Sequence, residues 1–370
     1  MMRYLSAHYI YPISSPPLKN GIICVNDDGC IVDVINTGGK LNEREKLEFY
    51  DGILVPGFVN AHCHLELSHL RGAIAQHIGL SGFISSIREQ RVAPETTILA
   101  AAKAADSEMR RNGIVAVGDI SNNAGTLPVK RDSPMRYRTF VEVFGLDDSR
   151  SEHIFTRAKH LKQEFQNEGL LASIVPHASY SVSKALWEMI HQSYMSSSPQ
   201  VVSIHHRESN DESHVFWKNI NVLTDMNYLL VHNTFSTKDE LNKYLPTNGR
   251  FYFVLCPCSN LFIQNRLPDV QLFLSQEFSQ KVCLGTDSLA SNTHLSILEE
   301  MKTIRQQAPE ISINILLQWA TLNGARALGF DHLLGSFDKN KKPGVNLITG
   351  FDFEKRNLTC NAEVKMLVEN

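Results

Sequence analysis

Several protein classes are excluded by what this sequence lacks. It has no apolar run near 20 residues, so no transmembrane helix is expected. It has no basic excess: 36 Lys and Arg face 39 Asp and Glu, a net charge of -3. That balance argues against nucleic-acid binding as the main role. The N-terminal stretch MMRYLSAHYIYPISSPPLKNG carries no apolar core of a signal peptide. The cysteines (Cys24, Cys30, Cys63, Cys256, Cys258, Cys283 and Cys360) are odd in number and irregularly spaced. They describe no disulfide framework, and a cytoplasmic protein is expected. No internal repeat is present, and low complexity is confined to Ser196-Ser197-Ser198-Pro199, read as a loop. No GxGxxG follows the first barrel-type strand, which disfavours a dinucleotide-binding sheet.

What is there is a chain of 370 residues, 43% hydrophobic, long enough to bury a sizeable core without a disulfide or metal to fold it. The first 55 residues read as β structure. Tyr4 to Tyr11 forms a strand, and Gly21 to Ile35 a hairpin about Asn26-Asp27-Asp28-Gly29. Another strand covers Leu47 to Val55. From Pro56 the pattern alternates. Eight strands are marked by His62, Ile114, Tyr137, Leu171, Val201, Leu229, Phe251 and Val282. Helical segments lie between and after them, at Ile98 to Arg111, Ser151 to Gln166, Ser183 to Met195, Leu295 to Gln307 and Ile311 to Leu328. Alternation of this kind implies parallel βαβ units, and eight is the strand number of a (β/α)8 barrel. After Gly335 the pattern returns to β. The expected architecture is an α/β barrel over residues 56–335, with a small β-sandwich built from 1–55 and 336–370.

The 15 histidines are most informative where they end strands. In His62-Cys63-His64 the two imidazoles are at i and i+2, on one face of a strand, where they can hold one metal ion. Chance alone supplies roughly 0.6 such triplets at this His content, so the position carries the weight. The lead Pro56-Gly57-Phe58-Val59-Asn60-Ala61 places both at the C-terminal mouth, where barrel enzymes keep their chemistry. A second strand ends Ser203-Ile204-His205-His206-Arg207-Glu208, offering a ligand and, three residues on, an acid/base. The competing reading is a solvated ion pair. His206 faces away from His205 on a strand. His232 closes the apolar run Leu229-Leu230-Val231, as a satisfied buried histidine also does. Asp287 closes the last strand, where a helix N-cap is the alternative. These four sites fall at the ends of barrel strands 1, 5, 6 and 8.

Taken together, PGFVNAHCHLELSH, the HxxE of His205 to Glu208, His232, Cys256-Pro257-Cys258-Ser259-Asn260 and LGTDSLASN at Leu284 to Asn292 resemble the amidohydrolase superfamily. They resemble its deaminase and chlorohydrolase branch more narrowly, over nearly the whole chain. The resemblance implies metal ligation by His62, His64, His205 and Asp287. It implies that Glu208 acts as acid/base toward a ring nitrogen, that His232 orients the attacking water, and that Asp287 takes up its proton. His177, in Pro176-His177-Ala178-Ser179-Tyr180, is implied as a substrate contact. Two-metal barrels of this superfamily use a carboxylated Lys at strand 4. This chain has His177 there, so one divalent ion is expected, zinc foremost and iron the alternative.

His64-Leu65-Glu66 also matches the first half of another zinc-deaminase signature. Cys256-Pro257-Cys258 does not match the second half, P-C-x-x-C, and that reading is rejected. The HLExS run after His64, with LGTDSLASN, looks most like aminodeoxyfutalosine deaminases. The expected activity is hydrolytic release of ammonia from an aminated heterocycle of purine-nucleoside type, such as aminodeoxyfutalosine, adenosine or S-adenosylhomocysteine. The alternatives are hydrolysis of a cyclic amide or a halogenated ring, and a non-catalytic metal-binding barrel. Glu66 is expected either to bind a substrate hydroxyl or amine or to orient a metal histidine. The expected partner is a small molecule, with neither nucleic acid nor membrane, and relatives are often homodimers.

Overall fold

The computed structural model describes residues 2–41, 46–196, 201–212, 226–244 and 250–370. The Ser197–Pro199 part of the low-complexity loop lies outside the described residues.

Chain order begins with β1 (Met2–Ile10), β2 (Leu18–Lys19), β3 (Ile22–Asn26), β4 (Ile31–Ile35) and β5 (Leu47–Pro56). The eight central strands are β6 (Phe58–Cys63), β7 (Ile114–Ser121), β8 (Arg136–Val143), β9 (Leu171–Pro176), β10 (Val201–His206), β11 (Asn227–His232), β12 (Arg250–Leu255) and β13 (Val282–Leu284). The chain then reaches β14 (Val345–Asp352) and β15 (Asn357–Val368). All eight sequence markers fall on β6 to β13.

The central strands form two parallel four-stranded sheets, β6-β7-β8-β9 and β10-β11-β12-β13. β6, β7, β10, β11 and β13 are buried along their whole length. Such continuous apolar runs fit parallel sheets covered on both faces. The two sheets meet at single bridges, Ala178 with His205 and Cys63 with Asp287. At the second junction Thr286 and Asp287 both donate backbone N–H to the carbonyl of His62, at 3.1 Å. Gly285 permits this approach, because a Cβ there would sit 2.9 Å from that of His62.

The flanking helices close predictably. The helix Glu95–Arg111 stops at Asn112, and Gly113 follows in a left-handed conformation (φ +75°). Ser183 and Ser296 accept backbone N–H bonds at the starts of helices Lys184–Met195 and Ile297–Gln307. Among the described residues, five α-helices were not read from the sequence: Gly79–Gln90, Leu127–Asp132, Lys238–Asn242, Pro257–Gln264 and Gln276–Ser279.

Strands from both ends of the chain share one seven-stranded mixed sheet, ordered β15-β14-β5-β1-β3-β4 with β2 on β1. β3 and β4 make the expected hairpin. The sheet packs its own apolar cluster, including Leu5, Ile10, Ile23, Leu54, Phe337 and Leu347. Hydrogen bonding unites these strands as one sheet. Among the described residues no helix is long and apolar enough to cross a membrane.

Candidate active site

The strand-end residues converge at the C-terminal mouth. His62 ends buried on β6, and His64 is the next residue but one. Their Nε2 atoms are 3.1 Å apart. Asp287 Oδ1 lies 3.5 Å from His62 Nε2 and 3.3 Å from His64 Nε2. The His205 ring centroid is 5.0 Å from that of His62, and the His232 centroid 5.8 Å. One ligand-type atom each from His62, His205 and His232 lies within 4.8 Å of the others, as does one each from His62, His64 and Asp287.

Neighbouring groups fix which ring atoms face the centre. His205 Nδ1 is 3.0 Å from the carbonyl of His177, which leaves Nε2 unprotonated. His232 Nδ1 is 2.9 Å from Asn260 Oδ1, and the buried His232 Nε2 has no hydrogen-bond partner. Ser259 and Ser291 hydroxyls both donate to Asp287 Oδ2, at 2.7 and 2.6 Å. They leave Oδ1 turned to the histidines. Asn60 grips the Asp287 loop, donating to Thr286 Oγ1 at 2.7 Å and accepting from Thr286 N at 3.0 Å.

Imidazole lone pairs and a carboxylate oxygen packed this closely call for a shared cation. Three histidines and one carboxylate suit a divalent ion of the zinc type. The electrostatics agree. Burial lowers His62, His205 and His64, the last to about 3, so these rings are neutral and able to ligate. Burial opposes the charge on Asp287, but His62 and His64 outweigh it and hold the carboxyl well below its ordinary range.

Beside this cluster sits a buried carboxyl–imidazole pair, Glu208 and His232. Glu208 is 5% exposed, which removes the solvated-ion-pair alternative. Its Oε1 is 3.5 Å from His232 Nε2. Burial raises Glu208 to about 7, against the pull of His232. Burial also disfavours the charge on His232, but Glu208 and Asp287 overcome it and raise that ring. His232, Asn233 and Asp287 have positive φ (79°, 56° and 55°). Backbone strain of this kind gathers at functional sites. Asp287 caps no helix here, since Ser296 caps the one that follows.

The two residues expected to contact substrate, His177 and Glu66, are both near the strand ends. His177 follows β9, half-exposed at the mouth, and stacks on His205 with centroids 4.6 Å apart. Burial lowers it to about 4. Glu66 is buried and fully engaged. Arg91 donates to Oε1 at 3.2 Å, while the Asn122 backbone and the Asn123 amide donate to Oε2 at 3.0 and 3.1 Å. His206 faces away from the centre, its Nε2 3.0 Å from the Tyr244 hydroxyl.

Sequence reasoning missed Glu142. Asn122 donates to its Oε2 at 3.2 Å, while its buried Oε1 lies 3.5 Å from His205 Nδ1. It also left Ser259, Asn260 and Ser291 without roles, although all three stand in the motifs already singled out.

A sequence model described as the amidohydrolase family matches residues 53–368. The chain belongs to the amidohydrolase family. It is therefore a hydrolase of a family that binds divalent metal. An adenosine deaminase of Helicobacter pylori is 26% identical over 340 residues, covering 83% of this chain and 81% of its own length. A 5-methylthioadenosine/S-adenosylhomocysteine deaminase of Clostridium tetani is 27% identical over 367 residues, covering 92% and 82%. The crystal structure of Helicobacter pylori aminofutalosine deaminase in complex with methylthio-coformycin superposes with a TM-score of 0.78 at 23% identity, covering 96% of this chain and 94% of that one. That likeness establishes the fold as α/β of the amidohydrolase barrel type.

Proposed function

We propose that this amidohydrolase is a hydrolytic deaminase that releases ammonia from an aminated heterocycle of purine-nucleoside type. The observation that carries the reading is the buried Glu208–His232 pair, 3.5 Å apart beside the ligand cluster. A barrel that only bound metal has no use for that pair. Substrates such as adenosine, S-adenosylhomocysteine and aminodeoxyfutalosine follow from the relatives' activities. In this reading His62, His64, His205 and Asp287 hold one divalent ion, zinc foremost and iron the alternative. Such an ion lowers the pKa of water from about 15.7 toward about 7.

The chain's own residues do the rest. His232 orients the attacking water, its Nδ1 held by Asn260. Water oxygen bonds to the amino-bearing carbon while Asp287 Oδ1 accepts a water proton. Glu208 gives its proton to the adjacent ring nitrogen, made available by its raised affinity for protons. As the carbon–nitrogen bond breaks, Asp287 returns its proton to the departing amino group, which leaves as ammonia, while the hydroxyl proton passes to Glu208 and the ring keeps a carbonyl. His177 contacts the substrate at the mouth. Glu66, clamped by Arg91, Asn122 and Asn123, contacts a substrate hydroxyl or amine.

The reading includes the division into a barrel over 56–335 and a sheet domain of 1–55 with 336–370. The barrel is closed through the bridges at Ala178–His205 and Cys63–Asp287, and the terminal sheet folds over its apolar cluster as a sandwich. It also includes a cytoplasmic homodimer, which size-exclusion chromatography with light scattering tests for assembly. The test of activity is ammonia release by metal-loaded protein across adenosine, S-adenosylhomocysteine, aminodeoxyfutalosine, guanine and cytosine, with Glu208→Gln as control. Release that vanishes in the control supports the reading. Silence across the panel with full metal content refutes it and favours a cyclic-amide or halogenated-ring substrate.

A further inference from the structure

The loop after β10 places Glu208, and its described part, 207–212, has no regular structure of its own. Its backbone is organised by one side chain, Glu212. The Arg207 N–H donates to Glu212 Oε2 at 2.6 Å. The N–H groups of Glu208 and Ser209 donate to Oε1 at 2.7 and 3.1 Å. Three successive amides thus converge on one carboxylate, which is 8% exposed. Successive N–H groups form this kind of concave anion nest when one residue is left-handed, and Arg207 has φ +51°.

The nest is braced from outside. Arg207 Nη1 donates to the Glu212 carbonyl at 3.1 Å, and its Nη2 to the Phe235 carbonyl, also at 3.1 Å. Phe235 N returns a bond to the Arg207 carbonyl at 2.9 Å, so the loops after β10 and β11 are tied together. The first of those loops carries Glu208, and the second begins directly after His232. Gln264 adds a bond to the Glu208 carbonyl at 3.3 Å from the helix Pro257–Gln264.

We propose that Glu212 is a positioning residue: its carboxylate fills the nest formed by the backbone of Arg207, Glu208 and Ser209 and so aims the Glu208 side chain at the reacting ring. The inference rests on the reading of Glu208 as the acid/base. Glu212 holds the backbone of this loop, and its charge adds to the field that raises Glu208 and His232. Without it three backbone N–H groups, two of them buried, lose their acceptor at once, and the left-handed turn at Arg207 loses its reason. A displacement of about 1 Å in a catalytic group is enough to cost 10²-fold in rate.

The test uses the metal-loaded full chain and the substrate on which wild-type protein releases ammonia. Glu212→Ala is expected to lower kcat by about 10²-fold. Its KM should stay within threefold, and its metal content should equal that of wild type. Formate, a carboxylate small enough for the vacated nest, should restore kcat at least tenfold in that variant and leave wild type unaffected. Glu212→Gln keeps the shape but turns an amide N–H toward backbone donors. It should fold, lose kcat at least tenfold, and exchange the amides of residues 207–209 faster than wild type by hydrogen-exchange mass spectrometry. Wild-type kcat in either variant overturns the proposal. So does loss that tracks metal content, or a Glu212→Ala defect that formate leaves unchanged. If wild-type protein releases no ammonia, or Glu208→Gln is fully active, the underlying reading has failed instead, and the two failures are distinct.

Discussion

Lys130 and Asp119 form an ion pair with both side chains fully buried, Nζ to Oδ2 at 2.5 Å. Lys130 also donates to Ser121 Oγ at 2.7 Å and lies 4.9 Å over the Phe165 ring. Asp119 turns its other oxygen to the backbone N–H of Leu65, at 2.7 Å, immediately after His64. The pair therefore anchors the segment that carries the first two candidate ligands. Lys130→Met keeps the stem over Phe165 but strands a buried carboxylate. Breaking a buried pair from one side costs about 3–5 kcal/mol. Unfolding entropy near 2.1 cal/mol/K per residue gives about 0.8 kcal/mol/K for this chain of 370 residues. The expected fall in Tm is then about 4–6 °C. Adding Asp119→Asn removes the stranded charge and keeps an acceptor for Leu65, so the double variant should recover at least half of the loss. Calorimetry of the wild type, both single variants and the double variant decides it. A Lys130→Met protein within 1 °C of wild type, or a double variant no better than the single, refutes the claim that an uncompensated charge is what matters.

Glu208→Gln should lower kcat/KM by about 10²- to 10⁴-fold with metal still bound, whereas His62→Ala should lose metal and activity together; metal analysis beside steady-state rates separates them. Because burial lifts Glu208 to about 7 and its protonated form is the donor, kcat/KM should decline on the alkaline side with a midpoint near 7. A profile flat from pH 6 to 9 contradicts that assignment. Burial also raises Glu300 from its ordinary 4.5 to about 8, against bonds from Cys258 N and the Asn292 amide. Its protonated form belongs to the folded state. The stability it contributes is complete below pH 4.5 and is lost as pH rises through 8. The Tm advantage of Glu300→Gln over wild type should therefore grow between pH 5 and 9; a constant difference counts against it.

The parts of this molecule that were readable in sequence are those whose signal is local. Ile114-Val115-Ala116-Val117 and Leu229-Leu230-Val231 announce buried strands because a parallel sheet leaves no face for polar residues. His62 and His64 declare a common face through strand periodicity alone. The helix Gly79–Gln90 has apolar residues Leu80, Phe83, Ile84 and Ile87 at helical spacing. The intervening Gly and Ser residues weaken its propensity, and the stripe was passed over. Glu142, Glu212 and Lys130 read as ordinary surface charges. Glu142 is covered beside Asn122 and His205, and Lys130 beside Asp119 and Phe165, from separate elements of the fold. Glu212 turns back onto its own loop, and its residue type does not announce that. The left-handed turns at Arg207, His232 and Asp287 are equally silent, since nothing in those residue types asks for positive φ.

One consequence concerns manufacture rather than catalysis. β5 pairs on one side with β1 and on the other with β14, and Arg3 reaches the carbonyl of Leu367. On the ribosome, β5 emerges nearly 300 residues before its second neighbour. At about 5–20 residues per second the interval is roughly 15–60 s. Through that interval one long edge of the early strands stands open, a template for the same edge on a neighbouring nascent chain. Overproduction should therefore yield aggregates that chaperone co-expression relieves. A circularly permuted gene that places residues 336–370 directly before the N-terminal strand should shorten that exposure and raise the soluble yield.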